Sequence, residues 1–306
     1  MGGNNQYMRP ILGLLAIVPF LFMSFTALQA SDFVGDGYGA LLNSMGGALG
    51  AAKNHPDTLY VNPAGMAGIK QFTLASGYQN GFGGFNSEYF MTAACPLNDM
   101  VLGMSVPINM VSDILRTQEN SGTGQGQSIG NVTQLYSAAL LGVAWHLNDF
   151  CQVGINGRAY YLRLDSYTGT GFGFDAGLRW QPMSLLSLGL SARHLGNMQL
   201  RWSSGATETY GAQYSLAAAT HFALDSLQFW PELRLDYQST EQRWLLKTGV
   251  ELGLDEFLKL RGGYRGDTGQ WTLGLGLDAG DFGLDYALLT HDTLGLTHQA
   301  VLIFKL

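Results

Sequence analysis

Charge is scarce in this sequence. Asp, Glu, Lys and Arg make up 13% of its 306 residues, about half the ~25% usual for soluble domains. The balance is acidic, with a net charge of −7. No basic footprint for nucleic acid is present. Cysteine is nearly absent. Cys95 and Cys151 do not have metal-ligand spacing, and the sequence leaves a disulfide between them open. Past the N-terminus there is no apolar run of the roughly 20 residues that a membrane-spanning helix needs. Any membrane residence must therefore come from strands.

Alternation and glycine are what the chain does have. The stretch Gln270 to Leu289 reads QWTLGLGLDAGDFGLDYALL. Trp271, Leu273, Leu275 and Leu277 leave one face of a strand; Thr272, Gly274, Gly276 and Asp278 leave the other. After a turn at Ala279-Gly280, Phe282, Leu284, Tyr286 and Leu288 continue the first face, opposite Asp281, Gly283 and Asp285. Period-two alternation is the strand signal. A face of glycine and aspartate is too small and too polar for a soluble core. Leucines facing lipid and small polar residues facing a lumen form the pattern of a transmembrane β-barrel.

The chain divides into three parts. Arg9 followed by the apolar run Ile11 to Phe25 reads as a signal peptide over residues 1–30, with cleavage at Ala30. Residues 31–70 are glycine-rich and poorly periodic. They are expected to be a plug, or hatch, inside the lumen, because their apolar residues Leu41, Leu42, Met45 and Leu59 need burial. Residues 71–306 break into segments of about ten residues, which predicts an all-β, antiparallel transmembrane barrel of about 14 strands. Short turns such as Asn98-Asp99, Asn148-Asp149, Pro182-Met183 and Asp255-Glu256 alternate with mostly longer connections. The expected extremes are loops over 110–131, with its SGTGQGQ tract, and over 197–206. This sorting predicts the bacterial outer membrane, with both termini in the periplasm.

Two further patterns agree with a barrel. Along the leucine faces, Tyr237, Trp244, Tyr264 and Trp271 fall at the long-loop ends, and Trp145, Trp180, Phe222 and Phe282 at the short-turn ends. Such belts belong at lipid–water boundaries. The opposite, inward face carries Glu232, Arg234, Asp236, Lys247, Glu251, Lys259, Arg261, Arg265 and Asp285, and earlier Arg158, Asp175, Arg179 and Arg193. A lipid-facing Arg or Lys would cost roughly 2–4 kcal/mol near the midplane. The mixed signs suit either a channel lining or the bracing of a plug.

No motif points to chemistry. Gly46-Gly47-Ala48-Leu49-Gly50 lacks the strand–helix context of a phosphate loop. His291, Asp292 and His298 lie near the last loop without a nucleophilic serine, and read as loop hydrogen-bonding groups. No catalytic residue, metal site or cofactor is expected. Asn62-Pro63 is the favoured structural site, since proline fixes its own φ and pushes the preceding residue toward an extended conformation.

Two regions carry a family resemblance. Met45-Gly46-Gly47-Ala48, followed by Asp57-Thr58-Leu59-Tyr60-Val61-Asn62-Pro63-Ala64-Gly65, resembles the N-terminal box of the FadL-like barrels, and within them of the PorV/PorQ family. The C-terminal segments LRGGY, LGLGL, LDYAL and LGLTHQ, ending in VLIFKL, resemble the same family. Together they cover about a quarter of the chain. Many outer-membrane barrels end in an aromatic residue; this chain ends in Leu306, with Phe304 two before it. The resemblance implies fourteen strands and a luminal hatch bearing Asn62, Pro63, Ala64 and Gly65. PorV-type members serve type IX secretion and handle exported proteins, and that is the first functional expectation. Uptake of hydrophobic small molecules, as in FadL-type members, is the alternative. A purely structural barrel is a third. The expected partners are outer-membrane lipid and either secretion proteins with their cargo or a hydrophobic ligand.

Overall fold

The computed structural model describes residues 33–34, 37–51, 54–119 and 126–306. The expected signal peptide lies outside them, as does most of the SGTGQGQ tract. Residues 31–306 form one compact unit.

The strands are β1 (Thr73–Gly81), β2 (Asn86–Leu97), β3 (Met100–Glu119), β4 (Gly126–Asn148), β5 (Cys151–Leu164), β6 (Tyr167–Met183), β7 (Leu186–Arg193), β8 (Met198–Trp202), β9 (Thr207–Tyr210), β10 (Gln213–Thr220), β11 (Phe222–Leu224), β12 (Leu227–Gln238), β13 (Arg243–Gly253), β14 (Leu258–Arg265), β15 (Gln270–Asp278), β16 (Phe282–His291) and β17 (Gly295–Lys305). All pairings are antiparallel between neighbours, and β1 pairs with β17 to close the ring. The ring has 14 strands because two of them are cut into pieces: β7 is continued by β8, and β9, β10 and β11 follow one another along the next strand.

The cut has a local cause. The β6–β7 ladder ends where Ala176 meets Ala192, and the β6–β8 ladder begins where Gly171 meets Leu200. Residues 172–175 therefore face the longer stretch 193–199. The excess is absorbed by a bulge in which His194, Gly196 and Asn197 take φ of 51°, 79° and 63°. Extra residues of this kind bend a strand and interrupt its ladder.

Two expected loops are corrected. Most of 110–131 is strand, since β3 and β4 pair from Met100 with Trp145 out to Glu119 with Gly126. The polar composition of 110–119 and 126–131 reflects exposure: a two-stranded ribbon beyond its neighbours meets water on both faces, which needs no apolar alternation. Much of 197–206 is β8, paired with β6 and β9. Connection lengths are also less sorted than expected, since Asp165-Ser166 joins β5 to β6 as tightly as any short turn. What distinguishes the long-loop end is strand overhang.

The two faces divide as the alternation predicts. Leu273, Leu302, Leu216 and Phe172 point outward and are exposed, while Thr272, Gln299, Ala217 and Asp175 point inward and are buried. The outward aromatics pair across strands at both ends. Tyr237 meets Trp244 and Tyr264 meets Trp271, each at 4.9 Å, at one end; Phe222 meets Phe229 at 5.2 Å and Phe282 meets Phe304 at 5.4 Å at the other. No helix among the described residues is long and apolar enough to cross a membrane. Cys95 and Cys151 are free.

Candidate functional site

The interior is where the unusual chemistry lies. Residues 37–51 and 54–69 run between the strands, with helix α1 (Ala40–Ser44) and two 3-10 turns, Pro56–Tyr60 and Pro63–Met66. Glycines on the wall make room for them. A Cβ on Gly249 or Gly263 would collide with the backbone at Met45 and Gly46, and one on Gly189 with Gly50. A Cβ on Gly154 would strike Pro63 and Ala64, and one on Gly177 the Asn62 side chain. The inward glycines are therefore a bed for a second layer of backbone. The sequence had placed glycine on the lumen face without showing what it meets there.

Wall side chains hydrogen-bond that backbone from several strands. Glu232 accepts the N–H of Gly50 and of Ala51, each at 2.6 Å. Arg179 Nε donates to Ala51 O at 2.7 Å, Arg234 Nη1 to Gly47 O at 3.1 Å, Arg158 Nη2 to Tyr60 O at 2.7 Å and Thr272 Oγ1 to Ser44 O at 2.9 Å. Buried backbone groups need partners, and an irregular segment can supply few of its own.

The Asn62-Pro63-Ala64-Gly65 box forms a corner. Asn62 is extended, with φ −152° and ψ 97°, and caps the turn that Pro63 begins by accepting from Ala64 N at 3.2 Å. Its amide is engaged, donating to Gly50 O at 2.6 Å and to Leu178 O on β6 at 3.1 Å. One side chain thus joins both halves of the inner segment to the wall. Gly65 packs on Thr58.

Of the thirteen inward charges named from the sequence, eleven are buried, and Lys259 and Arg179 are half-buried. Arg261 bridges Glu251 at 2.8 Å and Asp285 at 2.7 Å. Lys247 reaches Asp236 at 3.5 Å and Asp267 at 3.0 Å, and Arg265 meets Asp267 at 3.4 Å. Arg234 holds Asp236 at 2.7 Å, and Lys259 holds Asp278 at 3.4 Å. Asp267 sits in the β14–β15 connection. Burial pushes its carboxyl up, but the Lys247 ammonium and the Arg265 guanidinium outweigh burial and hold it far below the usual carboxylate range.

Two regions of the interior differ in character. At the short-turn end a cavity of about 360 Å³ is lined by Glu251, Lys259, Arg261, Asp278, Lys305 and Trp230. Toward the long-loop end the wall is apolar and aromatic. Phe33 lies 5.2 Å from Tyr136 and 5.8 Å from Tyr160, and Tyr160 Oη meets His194 Nε2 at 3.0 Å. Leu162, Met198 and Leu200 belong to the same buried cluster, with Tyr210 packed against it. The sequence reading missed this cluster. The alternation that placed Arg158 inward also places Tyr160 and Leu162 inward, so the signal was present. Asn43 was missed as well; it donates to Gln299 at 2.9 Å and to Gln79 at 3.5 Å. His291 Nδ1 accepts from the N–H groups of Thr293 and Leu294, each at 3.1 Å, and His298 bonds Tyr286 on the outer face. Among the described residues no group of three or more His, Cys, Asp or Glu could hold a metal ion.

No protein-family model and no curated protein sequence matches the chain. Its fold is that of FadL-type channels. The toluene transporter TbuX of Ralstonia pickettii superposes with a TM-score of 0.63 at 16% identity, covering 90% of this chain and 99% of that one. The toluene transporter TodX of Pseudomonas putida gives 0.65 at 12% identity, over 88% and 98%. A FadL homologue of Pseudomonas aeruginosa gives 0.52 at 13% identity, over 92% and 98%.

Proposed function

We propose that this chain is an outer-membrane channel for hydrophobic small molecules, with residues 37–69 as its hatch and both termini in the periplasm. The observation that carries the reading is the apolar and aromatic cluster of Phe33, Tyr136, Tyr160, Leu162, Met198 and Leu200 inside the ring. Apolar and aromatic side chains of this kind are what line ligand sites for apolar molecules. The fold neighbours described as toluene transporters support the same class of solute. Entry would be at the long-loop end. In this reading the chain moves a solute and performs no bond chemistry.

The PorV/PorQ-like role in protein secretion rests on the Asn62–Gly65 box and the C-terminal pattern, and the fold neighbours do not extend it. The two roles separate in one experiment. Proteoliposomes bearing the chain should take up radiolabelled toluene faster than empty liposomes, with no matching gain for glucose. Equal uptake with and without the chain, together with stoichiometric recovery of exported proteins from detergent-solubilised outer membrane, would replace this reading with secretion.

A further inference from the structure

One carboxylate stands beside the rings of the apolar cluster. Two inward rows cross the wall there in register. The first runs Ala138, Tyr160, Gly171, Leu200 and Glu208, and the second Tyr136, Leu162, Gly169 and Trp202. Leu200 and Trp202 lie close to the two glycines, where an added Cβ would meet them at 3.3 Å and 3.1 Å. The rings form a connected arc. Tyr210 is 6.2 Å from His194, His194 6.1 Å from Tyr160, Tyr160 5.8 Å from Phe33 and Phe33 5.2 Å from Tyr136. Glu208 ends the first row, two residues before Tyr210 on the same face of β9, and is exposed. Its Oε1 accepts the Trp202 indole N–H at 2.9 Å. Among the described residues no cation bridges it.

The cations around the arc are engaged elsewhere or turned away. Arg158, two residues before Tyr160 on the same face, is held by Asp175 at 2.5 Å and donates to Tyr60 O at 2.7 Å. Arg193 donates to Gln213, and Arg116 bridges Asp165 at 3.3 Å. Arg163 and Arg201 alternate with inward Leu162 and Leu200, so they leave the opposite face. Followed the other way, the second row passes from Tyr136 to Asn109 and then to Glu88. Glu88 accepts from the amides of Asn109 at 2.9 Å and Asn86 at 3.2 Å, so this flank also carries negative charge. A carboxylate solute reaching the arc meets like charge and finds no cation to pair with. An ammonium group meets Glu208 and the electron-rich rings beside it, Trp202 and Tyr210.

We propose that Glu208 selects solutes by charge, so that the apolar cluster favours an aromatic solute bearing an ammonium group over a carboxylate of the same size. This rests on the reading of the chain as a solute channel entered at the long-loop end, and adds the charge of what it admits.

The test compares two competitors that share one ring and differ in charge. Benzyltrimethylammonium and phenylacetate are each titrated against uptake of radiolabelled toluene by proteoliposomes at pH 7.5, and the ratio of their inhibitory concentrations is read within each protein. The wild type is expected to be inhibited by the ammonium at a concentration about tenfold lower than by the carboxylate, the scale of one charge contact near a protein surface. Glu208→Gln keeps an acceptor for the Trp202 indole and removes the charge; its ratio should fall at least about threefold. Glu208→Asp keeps the charge and should keep the preference. Asp292→Asn, in the exposed last connection, changes the net charge by the same amount and is the control. Fold is checked by heat-modifiable mobility in every case. Equal inhibition of the wild type by the two competitors overturns the proposal, as does a Glu208→Gln ratio equal to that of the wild type. An equal fall in Asp292→Asn assigns the effect to overall charge and overturns it too, and a loss of preference in Glu208→Asp matching that in Glu208→Gln assigns it to side-chain shape. Absence of toluene uptake by the folded wild type removes this inference together with the channel reading; uptake without charge preference removes this inference alone.

Discussion

The carboxylate of Glu232 on β12 accepts the backbone N–H of Gly50 at 2.6 Å, and the neighbouring Ala51 N–H at the same distance. A charged wall residue is thus spent on the backbone of the inner segment. Glu232→Ala leaves both N–H groups buried without that acceptor, at about 1–3 kcal/mol each. The barrel ladders do not involve this carboxylate. The expected result is faster amide hydrogen exchange at Gly50 and Ala51 with an unchanged folded band on gels. Unchanged protection at both amides would show that Glu232 does not hold the segment.

Adjacent glycines on β14 should respond oppositely. A Cβ on Gly263 collides with Met45 and Gly46, whereas one on Gly262 meets Thr272 O at 3.8 Å and Leu273 at 4.0 Å, which is ordinary contact. Gly263→Ala is expected to cost about 1–3 kcal/mol of unfolding stability, as overpacking does. Gly262→Ala should be neutral or slightly stabilising, because alanine loses less chain entropy than glycine. Urea unfolding in lipid vesicles measures both. A larger loss at Gly262 would reverse the two faces.

Lipid contact is tested on β15. Leu273 is 59% exposed on the outward face. Leu273→Arg should cost roughly 2–4 kcal/mol if it lies near the midplane, less toward an interface, and Leu273→Phe should be tolerated. Loss of the folded, heat-modifiable band for Arg but not Phe is the expected outcome; equal behaviour would remove Leu273 from the lipid face.

Asp267 predicts a pH dependence. Its carboxyl is held below its ordinary value near 3.9 by Lys247 and Arg265. A depressed folded-state pKa contributes stability that is present above the unfolded pKa and lost as pH falls below it. Asp267→Asn should therefore be less stable than the wild type at pH 7, and the difference should shrink as pH drops below about 4. A difference that stays constant between pH 7 and pH 3 would exclude this charge linkage.

Much of the barrel was legible because each strand repeats one two-residue rule. Leu273 and Thr272 sort to opposite faces by that rule alone, and so do Tyr264 and Arg265. What the rule cannot convey is what stands in front of an inward residue. Gly276 looks like an open luminal position, yet a Cβ there would meet the Arg261 guanidinium and Asp285. The bulge at His194–Asn197 was illegible for a related reason: its extra residues are defined only against β6, a partner that local sequence does not specify. The ribbon formed by β3 and β4 lacks the apolar alternation that reveals a strand, because neither of its faces packs on anything apolar.

Asn62 is the residue on which sequence and structure meet most directly, and its substitutions separate its roles. Proline at 63 and the extended backbone at 62 set the corner, so they survive a change of side chain. The side chain makes three further bonds: it accepts from Ala64 N at 3.2 Å and donates to Gly50 O at 2.6 Å and Leu178 O at 3.1 Å. Asn62→Ala removes all three and is expected to cost about 2–3 kcal/mol, concentrated in the inner segment. Asn62→Asp keeps the acceptor for Ala64 but turns a carboxylate oxygen toward two carbonyls, at a fully buried position. An unpaired buried charge costs more than a missing hydrogen bond, so Asp should be the worse substitution at pH 7. The difference should narrow in acid, where the protonated carboxyl can donate to one of those carbonyls. Limited proteolysis reads the effect directly: cleavage within 44–67 should rise from wild type to Ala to Asp at pH 7, while β12–β17 stay protected. If Asp is cut no faster than Ala at neutral pH, the two donated bonds are not what fixes the corner to the wall.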